Sequence, residues 1–207
     1  MSADNCTVFL LSPAYCGGRR AGYLMRPGST MALAQRLEAG TLSLGEAFTF
    51  MSGLYFRGKI AYAMAFGRRA DGRQATYVIT PTRGLQSPDL PMTRALVEEF
   101  AAVDVADDEP RYFTPLVADA RALAAALPDR GRVVLLGSVA TSKYVEVLGE
   151  ALGARLHFPS DFIGRGDMSR GALMLRSAAS GVELAYVPAA AAIRHGPRPP
   201  RLAPSRP

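Results

Sequence analysis

Lysine is almost missing from this chain. Of its 24 basic residues only Lys59 and Lys143 are lysines, and all the others are arginines. Histidine and cysteine are as scarce, with two of each: His157, His195, Cys6 and Cys16. Two cysteines do not build a disulfide framework, and with two histidines they are too few for a zinc cluster, so neither a metal nor another cofactor is expected. The start, MSADNCTVFLLSPAYC, is polar without a basic n-region, and no apolar run reaches bilayer-spanning length. Those absences predict a monomeric, cytoplasmic protein with no membrane partner.

What the chain does contain is enough apolar material for a core. At 207 residues and 49% hydrophobic it is expected to form one domain over residues 1–188, followed by a flexible Pro/Arg-rich tail over 189–207 that holds His195. The net charge is +6, carried by arginines whose planar fork fits phosphate, and this points to an anionic partner such as DNA. A GC-rich coding sequence also turns lysine into arginine. That bias explains the residue type better than the surplus of positive charge.

Four short aliphatic runs, Thr7 to Leu11, Tyr77 to Thr80, Val133 to Leu136 and Arg155 to Phe158, read as strands. Helical periodicity separates them. Ser29 or Thr30 is placed to cap a helix through Leu37, and Ser43-Leu44-Gly45-Glu46 has the spacing of a capping box. Further helices are predicted over Thr93 to Ala101, Pro115 to Leu127 and Tyr144 to Gly153, the last capped by Thr141 or Ser142. Ala172 to Arg176 and Val182 to Val187 read as a β-hairpin. The alternation of elements predicts an α/β fold, a three-layer α/β/α domain with a short, mostly parallel four-stranded sheet.

Ligands bind such sheets at the carboxyl ends of the strands, so the segments after the strands are the candidate site. After the first strand come Tyr15, fit to stack on a base, Gly17 and Gly18, which admit close approach, and Arg19 and Arg20, fit to hold phosphate. Beyond the fourth strand stand His157, Ser160 and Asp161, then Ile163, Gly164, Arg165, Gly166, Asp167, Met168, Ser169, Arg170 and Gly171, combining glycines, two arginines and two carboxylates. The same composition also describes a solvated turn. Between these segments Tyr55, Arg57 and Lys59 place an aromatic beside two cations, the pattern of a surface that stacks a base and neutralises a phosphate.

The order of aliphatic strand, LLG with small polar residues, helix, and strand ending in His157-Phe158-Pro159-Ser160 before a Gly/Arg/Ser-rich loop resembles the C-terminal half of the uracil-DNA glycosylase superfamily. That family carries a His-Pro-Ser motif, matched here by His157, Pro159 and Ser160 with Phe158 intervening. It follows the motif with a loop that enters the minor groove, here Ile163 to Gly171. The family commonly has Asp or Asn in the loop after the first strand, and this chain has neither.

The resemblance implies hydrolysis of the N-glycosidic bond of a damaged or modified base flipped out of DNA, in repair or anti-phage defence. Asp167, or else Asp161, would stabilise the sugar cation or orient water, and His157 would hold the departing base. Arg19, Arg20, Arg57, Lys59, Arg165 and Arg170 would grip phosphates beside Ser160 and Ser169, Tyr15 or Tyr55 would stack, and Ile163 or Met168 would fill the gap. A shorter likeness, VITPTRGLQSPD, is to a turn in a DNA-binding peroxide-stress family. Two alternatives stay open: a non-catalytic nucleic-acid-binding protein of the same fold, and a nucleoside-processing enzyme with a nucleophilic Glu, for which Glu46 is the early candidate.

Overall fold

The structure is a computed structural model that describes residues 6–202 apart from Ala70, Gly72, Asp107, Ala140, Thr141, residues 192–195, Arg198 and Arg201. The chain opens with β1 (Thr7–Leu11), α1 (Arg19–Leu24), α2 (Ala32–Glu38), α3 (Leu44–Ser52) and α4 (Leu54–Phe66). It continues through β2 (Thr76–Ile79), β3 (Leu85–Gln86), α5 (Arg94–Ala101), α6 (Pro110–Ala126) and β4 (Arg132–Leu136). Last come α7 (Ser142–Leu152), β5 (Leu156–Pro159), α8 (Asp167–Ser180) and β6 (Tyr186–Pro188).

These strands form one mixed sheet of six in the order β3-β2-β1-β4-β5-β6. The four expected strands are its parallel centre: β1 pairs with β2 and β4, and β4 with β5. Every β1 residue is buried because both sheet faces are covered, which is why its sequence is a continuous rather than an alternating apolar run. Successive side chains still part to opposite faces. Phe9, Leu11, Val134 and Leu136 pack with apolar residues of α3, α4, α5 and α8, while Val8, Leu10, Val133 and Leu135 pack with those of α6 and α7. Each such buried side chain contributes about 1.5–3 kcal/mol of transfer free energy.

Two further strands flank these four as short antiparallel edges: β3 was not expected, and β6 overlaps the end of the expected strand Val182 to Val187. β3 turns back on β2 through Gly84, whose φ of +58° is left-handed and whose missing side chain makes room for the Asp119 carboxylate. That carboxylate accepts a hydrogen bond from the Leu85 amide at 2.8 Å. β6 pairs with β5, Phe158 opposite Val187. The expected hairpin over Ala172 to Val187 does not form. Its first half is α8, because Ala, Leu, Met and Arg are strong helix formers, and Gly181 at φ +69° closes that helix. The glycine-rich loop correspondingly ends at Gly166. Arg19 to Gly22, read as part of the loop after the first strand, belongs to the short helix α1, and α2 begins beyond Met31 rather than at Ser29 or Thr30. The Ser43–Glu46 capping box is present, both halves of it. Of the two caps expected for α7, Thr141 lies outside the described residues, and the helix begins at Ser142.

Helices α4 and α8 cross with their backbones touching. A side-chain carbon built on Gly58 would stand 2.6 Å from the Gly171 carbonyl oxygen, and one on Gly171 would stand 2.7 Å from that of Leu54. Only glycine permits this approach. Past β6, Ala189 is buried, and Pro197 lies against Gly164 while Arg165 donates to the Pro200 carbonyl at 3.3 Å. His195 falls outside the described residues. Among the described residues no helix is long and apolar enough to cross a membrane.

Candidate functional site

From β1 the chain passes to β2 on one side, and later to β4 on the other, so the two connections diverge at the carboxyl ends of β1 and β4. A divergence of this kind leaves a crevice above the sheet. Here it is a cleft of about 540 Å³, floored by Ser12 after β1 and Ser138 after β4. Gly137 lets the two strand ends close up, since a side-chain carbon there would lie 3.0 Å from the Ser12 Cβ. Around the floor stand the segment from Tyr15 to Arg20, the α4 residues Tyr55 and Lys59, the α7 residues Lys143 and Tyr144, and Asp167 of α8.

Tyr55 and Lys59 are one helical turn apart and so share a face of α4. Lys59 is 1% exposed, yet its Nζ has defined partners: it donates to the Ser12 carbonyl at 2.9 Å and to the Ser12 hydroxyl at 2.7 Å. It also lies 4.0 Å from the centre of the Tyr55 ring. Burial pushes the Lys59 ammonium down to about 7, against a smaller opposing pull from Asp167. Burial likewise pushes the Tyr55 phenol up to about 12 and raises that of Tyr144, so both hydroxyls stay protonated. The Tyr55 hydroxyl is buried beside Arg170, which acts on it by its charge and as a weak hydrogen-bond donor, and Asp167 acts on it through its charge.

The opposite wall is open to solvent. Tyr15 is 74% exposed, and its ring lies over Gly17 and Gly18: a side-chain carbon on Gly17 would meet the Tyr15 hydroxyl at 2.7 Å. Arg20 donates to the Phe50 carbonyl at 3.3 Å and passes over Gly53, which ties the start of α1 to the end of α3. Arg19 is exposed at the rim. A second chamber of about 340 Å³ shares Tyr15, Lys143 and Tyr144 with the first and runs on toward Pro81 and Asp104.

Asp167 is the one carboxylate among the described residues that line the main cleft. It opens α8, where the helix dipole favours an anion, and its side chain is 69% exposed with the Arg170 guanidinium 3.8 Å away. The α4–α8 crossing is what brings it here: Asp167 lies one turn before Gly171, and Lys59 follows Gly58 directly.

The cleft therefore unites Tyr15, Gly18, Arg19, Arg20, Tyr55, Lys59 and Asp167 from the residues singled out in the sequence. Others are placed elsewhere. His157 sits within β5 opposite Pro188, its Nδ1 2.9 Å from the Arg155 carbonyl oxygen, away from the cleft lining. Asp161 is exposed on the turn after β5, where Ser160 is held by its hydroxyl to the Ala185 carbonyl at 3.3 Å. Arg57 projects to solvent from the other side of α4. Ile163 packs toward the α6–α7 side of the core, and Met168 is exposed beyond the cleft lining.

Three cations do not serve as free phosphate grips. Lys59 is enclosed, and Arg170 is buried with two bonds to the Phe162 carbonyl, at 3.0 and 3.2 Å. Arg165 is engaged with Ser169 and Pro200. Each is turned inward by a carbonyl or hydroxyl that composition does not reveal. Sequence reasoning missed Ser12, Lys143 and Tyr144. Ser12 ends the β1 run, the expected address of a ligand contact, but Tyr144 has the helical spacing of a core residue.

Glu46 is spoken for outside this cleft, in the α3 cap and in a pair with Arg36 at 2.6 Å. Cys16 is buried, with its thiol pushed up to about 12 by desolvation, so it is a neutral packing group. Compared with known proteins, the chain matches no family model, no curated protein and no solved structure.

Proposed function

We propose that this protein is a DNA glycosylase that hydrolyses the N-glycosidic bond of a damaged or modified base extruded from DNA, on a three-layer fold of the uracil-DNA glycosylase type. The observation that carries the reading is the meeting of one carboxylate, Asp167, with an exposed aromatic, Tyr15, and the cations Arg19, Arg20 and Lys143 around a single cleft at the strand ends. An extruded base needs a pocket with an aromatic wall, and its flanking phosphates need cations at the mouth. The cleft's volume suits a base with its sugar.

Bond cleavage leaves positive charge on the sugar and negative charge on the leaving base. Asp167 faces the first and orients the water. As the water oxygen bonds to C1′, the C1′–N bond breaks with its electron pair going to the base, and the water's proton passes to the carboxylate. The cationic wall steadies the departing base.

The test is an abasic-site assay on duplexes bearing a panel of modified bases, with wild type and Asp167→Asn. Alkali-labile product from wild type is expected on at least one duplex, with the rate reduced roughly a hundredfold or more in the variant. Tight binding without product on any duplex would replace this reading with a binding module, which the lack of Asp or Asn after β1 favours. Cleavage of free nucleosides but not of DNA would move the activity to nucleoside processing.

A further inference from the structure

Both lysines of a chain otherwise built on arginine line the same cleft. A bias toward arginine codons replaces lysine wherever charge alone matters. An amine differs from a guanidinium in that it can lose its proton near neutral pH and then carries a nucleophilic lone pair. Lys59 meets the structural conditions for this. Its Nζ is held at the cleft floor by two bonds to Ser12, which occupy two of its three hydrogen positions and leave the third for a lone pair. No carboxylate forms a salt bridge with it among the described residues, and the groups that act on it are the Tyr55 and Phe56 rings of its own helix and Asp167 and Arg170 of α8.

From this geometry we infer that Lys59 is an imine-forming nucleophile that acts on the sugar aldehyde of an abasic site and gives the protein a strand-cleaving lyase activity. The inference rests on the glycosylase reading, because removal of the base is what exposes the aldehyde. In the step itself the Lys59 nitrogen bonds to C1′, and the carbonyl oxygen leaves as water with the two amine hydrogens. The imine then acidifies C2′. Asp167 takes the C2′ proton, the C3′–O bond breaks, and the downstream strand departs with the electron pair on its 5′ phosphate. Burial that brings the ammonium down to about 7 supplies the free amine at neutral pH.

The experiment uses the full chain with a duplex carrying a preformed abasic aldehyde, in the presence of borohydride, which reduces an imine to a stable amine. A covalent protein–DNA adduct is expected, and peptide mapping of the wild-type adduct should place it on Lys59. Its yield should rise with pH through about 7. Lys59→Met should lower the yield roughly a hundredfold, with circular dichroism confirming that the variant folds. Mapping on wild type decides the matter even if Lys59→Met fails to fold. An adduct on Lys143 or on the N-terminal amine, or no adduct, overturns the inference. Base release from the modified-base panel without an adduct overturns it alone and leaves the glycosylase standing. An adduct on Lys59 without base release keeps the amine chemistry and removes the glycosylase.

Discussion

Lys59 is a buried amine whose environment departs far from that of its free form. An amine whose pKa falls from 10.5 to about 7 on folding costs the native state stability wherever the unfolded chain would hold the proton. The sign follows from the protons bound. Between about 7 and 10.5 the unfolded chain binds more of them, so stability rises with pH, and below about 7 the cost is fully present. Cys16 acts in the other direction above 9.0, where the unfolded thiol ionises and the buried one, at about 12, does not. The clean window is therefore pH 7 to 9. Urea midpoints should climb across it in wild type and stay level in Lys59→Met, and equal slopes in the two proteins would show that Lys59 titrates normally.

At the scale of elements, the α4–α8 crossing positions Asp167 beside Tyr55 and Lys59. Gly171→Ala puts a methyl carbon 2.7 Å from the Leu54 carbonyl oxygen, so the helices must move apart. The expected cost is about 1–3 kcal/mol in denaturant melts, with loss of base release even where the variant remains folded. A neutral effect on both would detach the crossing from the site.

This crossing was not legible in the sequence. Gly164 to Gly171 reads as loop because its glycines, aspartate and serine are turn residues, yet only Gly164, at φ +70°, uses the left-handed freedom, and Asp167 opens a helix. The central strands were legible. Thr7 to Leu11 and Val133 to Leu136 are buried on both faces, and their side chains are almost all apolar. The edge β3 was not, since two residues carry no periodicity, and of β6 only Tyr186 and Val187 fell within the expected strand Val182 to Val187. In the site, Tyr15, Arg19, Arg20, Tyr55, Lys59 and Asp167 could be picked out by chemistry and by position after a strand. His157 could not be dismissed, because its engagement with a neighbouring carbonyl is a property of backbone pairing.

For the whole molecule, the positive charge is sorted by what each arginine already holds. Arg19 stands exposed at the mouth of the cleft and Arg20 beside it holds the Phe50 carbonyl, whereas Arg170 is enclosed and Arg165 is engaged by the C-terminal segment. DNA affinity should fall steeply with rising salt, and Arg19→Ala should reduce the slope by about one unit. Arg165→Ala should leave it unchanged. A fall in slope for Arg165 would show that the C-terminal segment gives way to DNA. The glycine pair that lets α4 and α8 touch has a last consequence. The carboxylate and the amine are mounted on two helices braced backbone against backbone, so on the proposed function their separation should change little when substrate arrives. On that reading adaptation falls to the DNA, and backbones that kink readily should be processed fastest.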